Sequence, residues 1–205
     1  SMMDSRFIAG DLSTFAQLES TLTNTVIRSM MASYVRGKYQ EMQERHVTYE
    51  NSIYHLEPNV KNGVGGLRDL HTALWIAQAR FGTRQLSGLH KLGVISETEL
   101  RETEKSLDFL WRVRNDLHYR AARKQDILSL QYQEIVAEDL GFQEDLLGSA
   151  VEHFMQDYYR AARHIHDYSM IFIDRCFPPH SRRTGHRETQ ILITQGVFQR
   201  DGSIH

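Results

Sequence analysis

From Leu56 to Leu70 the chain runs Leu-Glu-Pro-Asn-Val-Lys-Asn-Gly-Val-Gly-Gly-Leu-Arg-Asp-Leu, with a proline and three glycines placed just ahead of an apolar periodic run. Glycine allows backbone angles and close approaches that a side chain forbids, and the first turn of a helix carries amides without intrahelical partners. Lys61, Gly65, Gly66 and Arg68 could therefore meet a phosphate together. The same composition also describes a plain tight corner, and the local residues leave both roles open. The segment is not a P-loop, because the closing Gly-Lys-Ser/Thr is missing.

The other reactive side chains carry weaker patterns. Eleven histidines raise the question of a metal site, but His164 and His166 are two apart and fall on different faces of a helix, whereas shared ligation favours spacings of three or four. His166-Asp167 mimics the dipeptide of metal-dependent HD phosphohydrolases, without further ligands nearby. His71 reads as a helix-face residue, and His118 as one that turns inward. Cys176, the single cysteine, has no base beside it and reads as a buried structural thiol. Arg112, Arg114, Arg120, Arg123 and Lys124 crowd one helix end, where positive charge complements the helix dipole.

The elements that must position these residues are mainly helical. Only three prolines interrupt 205 residues, two of them adjacent at Pro178 and Pro179. Phe15, Leu18, Leu22, Val26, Met30 and Tyr34 recur at helical spacing and predict one apolar stripe continuing to about His46. Further helices are expected over Leu67–Phe81, after the capping box of Ser96 and Glu99, from Ser129 to a stop at Gly141, and from about Leu146 to Cys176. On the last of these, Val151, Phe154, Tyr158, Ala161, Ile165, Tyr168 and Phe172 share a face. The expectation is a mainly α protein, a bundle of four to six helices. A short strand is expected over Met2–Ala9, cut at its front, and a β-like tail beyond the polar linker after Pro179.

Composition narrows the function classes. With 24 basic and 26 acidic residues the formal charge is −2, too balanced for nonspecific binding of nucleic acid or an anionic membrane surface. One cysteine cannot form an internal disulfide, and no apolar run is long enough to span a bilayer. A cytoplasmic protein is expected.

Several strings, in order, resemble those of bacterial PII-uridylyltransferases, the bifunctional uridylyl-transferring and uridylyl-removing enzymes. They are RFIAGD from Arg6 to Asp11, EPNVKNGVGGLRDLHTALWIA from Glu57 to Ala77, LWRVRNDLH from Leu110 to His118, and YYRAAR from Tyr158 to Arg163. A related glycine-glycine-hydrophobic-arginine-acid signature belongs to glutamine synthetase adenylyltransferases; the lysine and the Leu-Arg-Asp favour the uridylyl branch. The resemblance implies that residues 1–11 end a nucleotidyltransferase core, 12–178 form a helical bundle, and 179–205 form a linker and the start of the next region of the enzyme.

It also implies an enzyme that moves uridylyl from UTP to a tyrosine of the PII signalling protein, with Mg²⁺ as cofactor and glutamine as effector. In such a core three carboxylates hold two metal ions. Asp4, in Asp4-Ser5-Arg6, matches the third and becomes the catalytic and metal residue; no Asp-x-Asp occurs in the chain, so the chain by itself is expected to be inactive. Lys61, Gly65, Gly66, Arg68 and Asp69 become the nucleotide-facing segment, and Arg114 completes a cationic wall with Lys61 and Arg68. The competing expectation is a helical protein-interaction module without nucleotide contact.

Overall fold

The computed structural model describes residues 7–21 and 28–176, with the side chains of 28–30 left aside. Among these residues the chain forms seven helices and no sheet: α1 (Leu12–Thr21), α2 (Arg28–Thr48), α3 (Leu67–Phe81), α4 (Leu86–Lys91), α5 (Glu97–Ala121), α6 (Leu130–Asp139) and α7 (Ala150–Cys176). None is long and apolar enough to cross a membrane. The expected C-terminal β-like tail and residues 1–6 of the expected strand lie outside the described residues. Phe7 and Ile8 are described, carry no strand, and are exposed.

The axis of the fold is α7, which packs against α3, α5 and α6. Its buried side chains, among them Phe154, Tyr158, Ala161, Ile165, Phe172 and Cys176, recur at three and four residues and so line one stripe. Val151 and Tyr168, expected on the same face, are half-buried at its border. The helix starts at Ala150 rather than Leu146, because Ser149 and Glu152 close a reciprocal cap, Ser149 N–H to Glu152 Oε2 at 2.7 Å and Glu152 N–H to Ser149 Oγ at 3.3 Å. Leu146 and Leu147 stand in solvent before it. The cap expected at Ser96 and Glu99 is formed, and Gly141 closes α6 at φ +84°. The single stripe expected across the first two helices is not realised in α1, which buries none of its residues and leaves Leu18 48% exposed.

The loop before α3 is fitted to α7 by one residue. Gly65 has φ +73°, and a Cβ there would lie 2.2 Å from the carbonyl oxygen of Ala162. Only glycine satisfies both the left-handed backbone and the close approach. Gly65→Ala is expected to lower stability by about 2–4 kcal/mol, the sum of backbone strain and overpacking; urea unfolding that finds no loss would refute the close approach.

A second fastening joins α2 to α3. The Asp69 carboxylate is fully buried and accepts from Arg45 Nη2 at 2.6 Å and from the Gly65 amide at 2.8 Å, with His46 Nε2 within 2.8–2.9 Å of both its oxygens. Burial alone would raise its pKa, but the hydrogen bonds and charges of His46 and Arg45 outweigh it and hold the carboxyl below its ordinary value. A depressed folded pKa contributes stability that is present above the unfolded value, about 4, and is lost as pH falls through the folded one. Asp69→Asn is therefore expected to cost about 3 kcal/mol at neutral pH. Its deficit against the parent should shrink below about pH 4; a gap that stays constant there would show that the charge of Asp69 is not what matters.

Candidate functional site

Local hydrogen bonding shapes the glycine loop before any ligand is considered. Asn59 Oδ1 accepts from the Lys61 and Asn62 amides at 3.1 and 2.7 Å, an Asx turn that folds the chain back toward α3. The amides at the helix start are then taken up internally. Gly65 donates to Asp69, Gly66 to the Gly63 carbonyl, Leu67 to Val60, Arg68 to Lys61 and Asp69 to Gly66. The backbone donors that the sequence offered to an anion thus already have protein acceptors, and Gly65 and Gly66 are buried under neighbouring carbonyls. Asp69 turns away from solvent into its pocket of Arg45 and His46. Asp4 lies outside the described residues.

The side chains of Lys61, Arg68 and Arg114 do come together. With Leu67, His71, Trp75 and Trp111 they line one cleft of about 300 Å³ between α3 and α5. Arg68, His71 and Trp75 occupy positions i, i+3 and i+7 of α3, and Trp111 and Arg114 positions i and i+3 of α5, so each helix turns one stripe toward the cleft. The guanidinium of Arg68 lies 5.6 Å from the Trp75 ring centre and that of Arg114 5.5 Å from the Trp111 ring centre, both within cation–π range. His71 bridges the two indoles, 6.2 Å from each.

The cleft is electropositive. Burial pushes the Lys61 ammonium below its usual range; Asp126 opposes the shift, and the positive charges of Lys124, Arg114 and Arg68 add to it. Asp126 is the carboxylate that answers these cations, accepting from Arg114 Nε at 2.7 Å, with His118 Nε2 at 3.1 Å. Burial would raise the Asp126 pKa, but those hydrogen bonds and the charges of Arg114 and Lys61 keep it lowered. With Lys61, Arg68 and Arg114 on its lining and Asp126 answering Arg114 and Lys61, the cleft keeps an excess of positive charge suited to a multiply charged anion.

Trp75, Trp111, His71 and Asp126 were not singled out as site residues from the sequence. The i, i+3 pairing of tryptophan and arginine on α5 was the signal available; Asp126 had none, because it joins Arg114 only through the return of the chain after α5. Elsewhere, the basic run at the end of α5 is partly spent on structure, with Arg120 bonded through both Nε and Nη2 to Asp139. Burial raises the Cys176 thiol to about 12, in keeping with an inert core residue. His166 contacts its neighbour Asp167, and His164 stacks on Tyr168. Among the described residues no three His, Cys, Asp or Glu side chains are grouped to hold a metal ion.

Comparison with known proteins gives the family of the chain. A family model described as GlnD PII-uridylyltransferase matches residues 33–173. Proteins named bifunctional uridylyltransferase/uridylyl-removing enzyme are similar over most of the chain. That of Rhodospirillum rubrum is 37% identical over 171 residues, 83% of this chain and 18% of the relative. That of Cereibacter sphaeroides is 35% identical over 199 residues, 97% and 21% respectively. That of Vibrio vulnificus is 32% identical over 203 residues, 99% and 23%. The chain thus spans about a fifth of the length of the curated relatives it matches. No solved structure matches it. The family match runs from within α2 to near the end of α7 and takes in the glycine loop and both walls of the cationic cleft, and on this ground the chain belongs to the PII-uridylyltransferase family.

Proposed function

We propose that this chain is the helical portion of a cytoplasmic enzyme that transfers uridylyl from UTP to a tyrosine of the PII protein, and that its cleft seats the nucleotide's phosphates. The observation that carries this reading is the meeting of Lys61, Arg68 and Arg114 in one cleft from two separate helices and a loop. In uridylyl transfer the tyrosine oxygen forms a bond to the α-phosphorus while the bond to the bridging oxygen breaks and pyrophosphate leaves. Catalysis of such a displacement is chiefly positioning and charge stabilisation. Lys61 supplies a compact charge, and the two arginines supply planar forks that match phosphate oxygens. Their indole neighbours restrict where those forks can swing.

Mg²⁺ belongs to the proposal for the intact enzyme, held by carboxylates of the nucleotidyltransferase core with Asp4 among them. The described residues offer no grouped donor set for it, so the steps assigned to them are binding and orientation. Glutamine is proposed as effector of the intact enzyme. Alone, the chain is expected not to turn over UTP; rates like those of the intact enzyme from this chain with UTP, Mg²⁺ and PII would disprove that.

Lys61→Ala and Arg68→Ala in the intact enzyme should each weaken UTP use by about ten-fold, expressed mainly in KM, while circular dichroism stays unchanged. Normal UTP kinetics in both variants would reduce the loop to a structural corner. It would then favour a module that binds a protein partner without nucleotide.

A further inference from the structure

The weak point of a cleft built from Lys61, Arg68 and Arg114 is its own repulsion. Like charges crowded into one partly buried space drive flexible side chains apart, and a fork that swings freely gives up much of its advantage in gripping a phosphate. Arg114 is half-buried and restrained on two sides. Its guanidinium lies over Trp111, and its Nε donates to Asp126 Oδ1 at 2.7 Å. Because Nε makes the bond, the end edge of the fork, between its two terminal nitrogens, is not the edge that meets the carboxylate. A carboxylate that met the terminal nitrogens instead would compete with a phosphate for them.

Asp126 is itself fixed from several directions. Its backbone carbonyl accepts from the Val60 amide at 2.8 Å, and the Leu128 amide donates to Pro58 at 2.9 Å, so residues 126–128 run antiparallel to 58–60 around a bridge between Asn59 and Ile127. The residue that holds Arg114 is therefore hydrogen-bonded to the residue immediately before Lys61. His118 Nε2, one turn beyond Arg114 on α5, braces the same carboxylate oxygen at 3.1 Å. The side chain of Asp126 is 11% exposed, screened enough from water for these contacts to persist.

We propose that Asp126 is a positioning residue for phosphate binding: it orients the Arg114 fork into the cleft and sets its spacing from Lys61, without touching the ligand itself. This rests on the cleft being the nucleotide's phosphate seat. It goes beyond that reading by assigning a required role to a carboxylate, the group whose charge by itself would repel a phosphate. Removing its charge should then weaken anion binding rather than strengthen it, the reverse of simple electrostatics.

The test is a mutant cycle on UTP binding, measured by calorimetry, with inorganic triphosphate as a second probe. Asp126→Asn should weaken UTP binding by about ten-fold in the parent and add nothing in an Arg114→Ala background, since it acts through Arg114. Asp126→Glu, which keeps the carboxylate, should recover most of the loss, and triphosphate should behave as UTP does. The proposal is overturned if Asp126→Asn binds UTP as well as or better than the parent, or if its loss is equal in both backgrounds. Should Asp126→Asn fail to fold by thermal melting, Arg114→Lys takes its place. Lysine keeps the charge but loses the oriented fork, so a loss comparable to Arg114→Ala supports the proposal and parent-like affinity overturns it. If Arg114→Ala itself binds UTP normally, the phosphate reading of the cleft fails, an outcome distinct from failure of Asp126 alone.

Discussion

The buried carboxylate of Asp69 is the interaction on which the rest of this architecture depends. An ionised group removed from water is stable only when its hydrogen-bonding capacity is filled and its charge answered. Asp69 meets both conditions by drawing on two other parts of the chain: Arg45 and His46 at the end of α2, and the amide of Gly65 in the loop ahead of α3. The loop cannot open without stripping a donor from that carboxylate, and α2 cannot leave without exposing the charge. Gly65, held on one side by Asp69, is pressed on the other against the carbonyl of Ala162, so α7 is registered against the same point.

This arrangement separates two electrostatic tasks along a single turn of helix. Asp69 and Arg68 are adjacent in sequence and so point about 100° apart on α3. One faces inward to a buried ion pair with Arg45; the other faces the cleft with Lys61 and Arg114. Positive charge on the inner face is neutralised and supports the fold. On the cleft face it is left in excess, steadied by two indoles and one carboxylate, and is available to a ligand. The strings resembling the uridylyltransferases meet here as well. Gly65 of the glycine string touches Ala162 of YYRAAR, and Trp111, Arg114 and His118 of LWRVRNDLH line or brace the cleft. Segments far apart in sequence thus serve one local geometry.

Much of this was legible from residues alone wherever the controlling forces are local. The apolar spacing from Phe154 to Phe172 specified α7, because a 3.6-residue period can bury a stripe in only one way. Ser96 with Glu99 specified the start of α5, because a capping box is satisfied within four residues. Local composition pairs Lys61 with Arg68 and the resemblance adds Arg114; in the fold all three line one cleft. Legibility failed where local pattern and long-range packing parted. The stripe through Phe15 and Leu18 promised a buried face that α1 does not have, and Leu146 and Leu147 looked helical yet lie ahead of a cap closed by Ser149 and Glu152.

By itself, then, the sequence determined the helical class, the positions of most helices and the family, since periodicity, caps and ordered motifs are all encoded over short stretches. The tertiary structure decided what those residues do. It gave the glycine-loop amides to the protein's own carbonyls and to Asp69, turned Asp69 from the ligand side into the core, and brought Asp126 to Arg114 across the return from α5. Such assignments depend on which groups win competition for a shared donor or acceptor. That competition is settled by distances between segments far apart along the chain, which no local pattern contains.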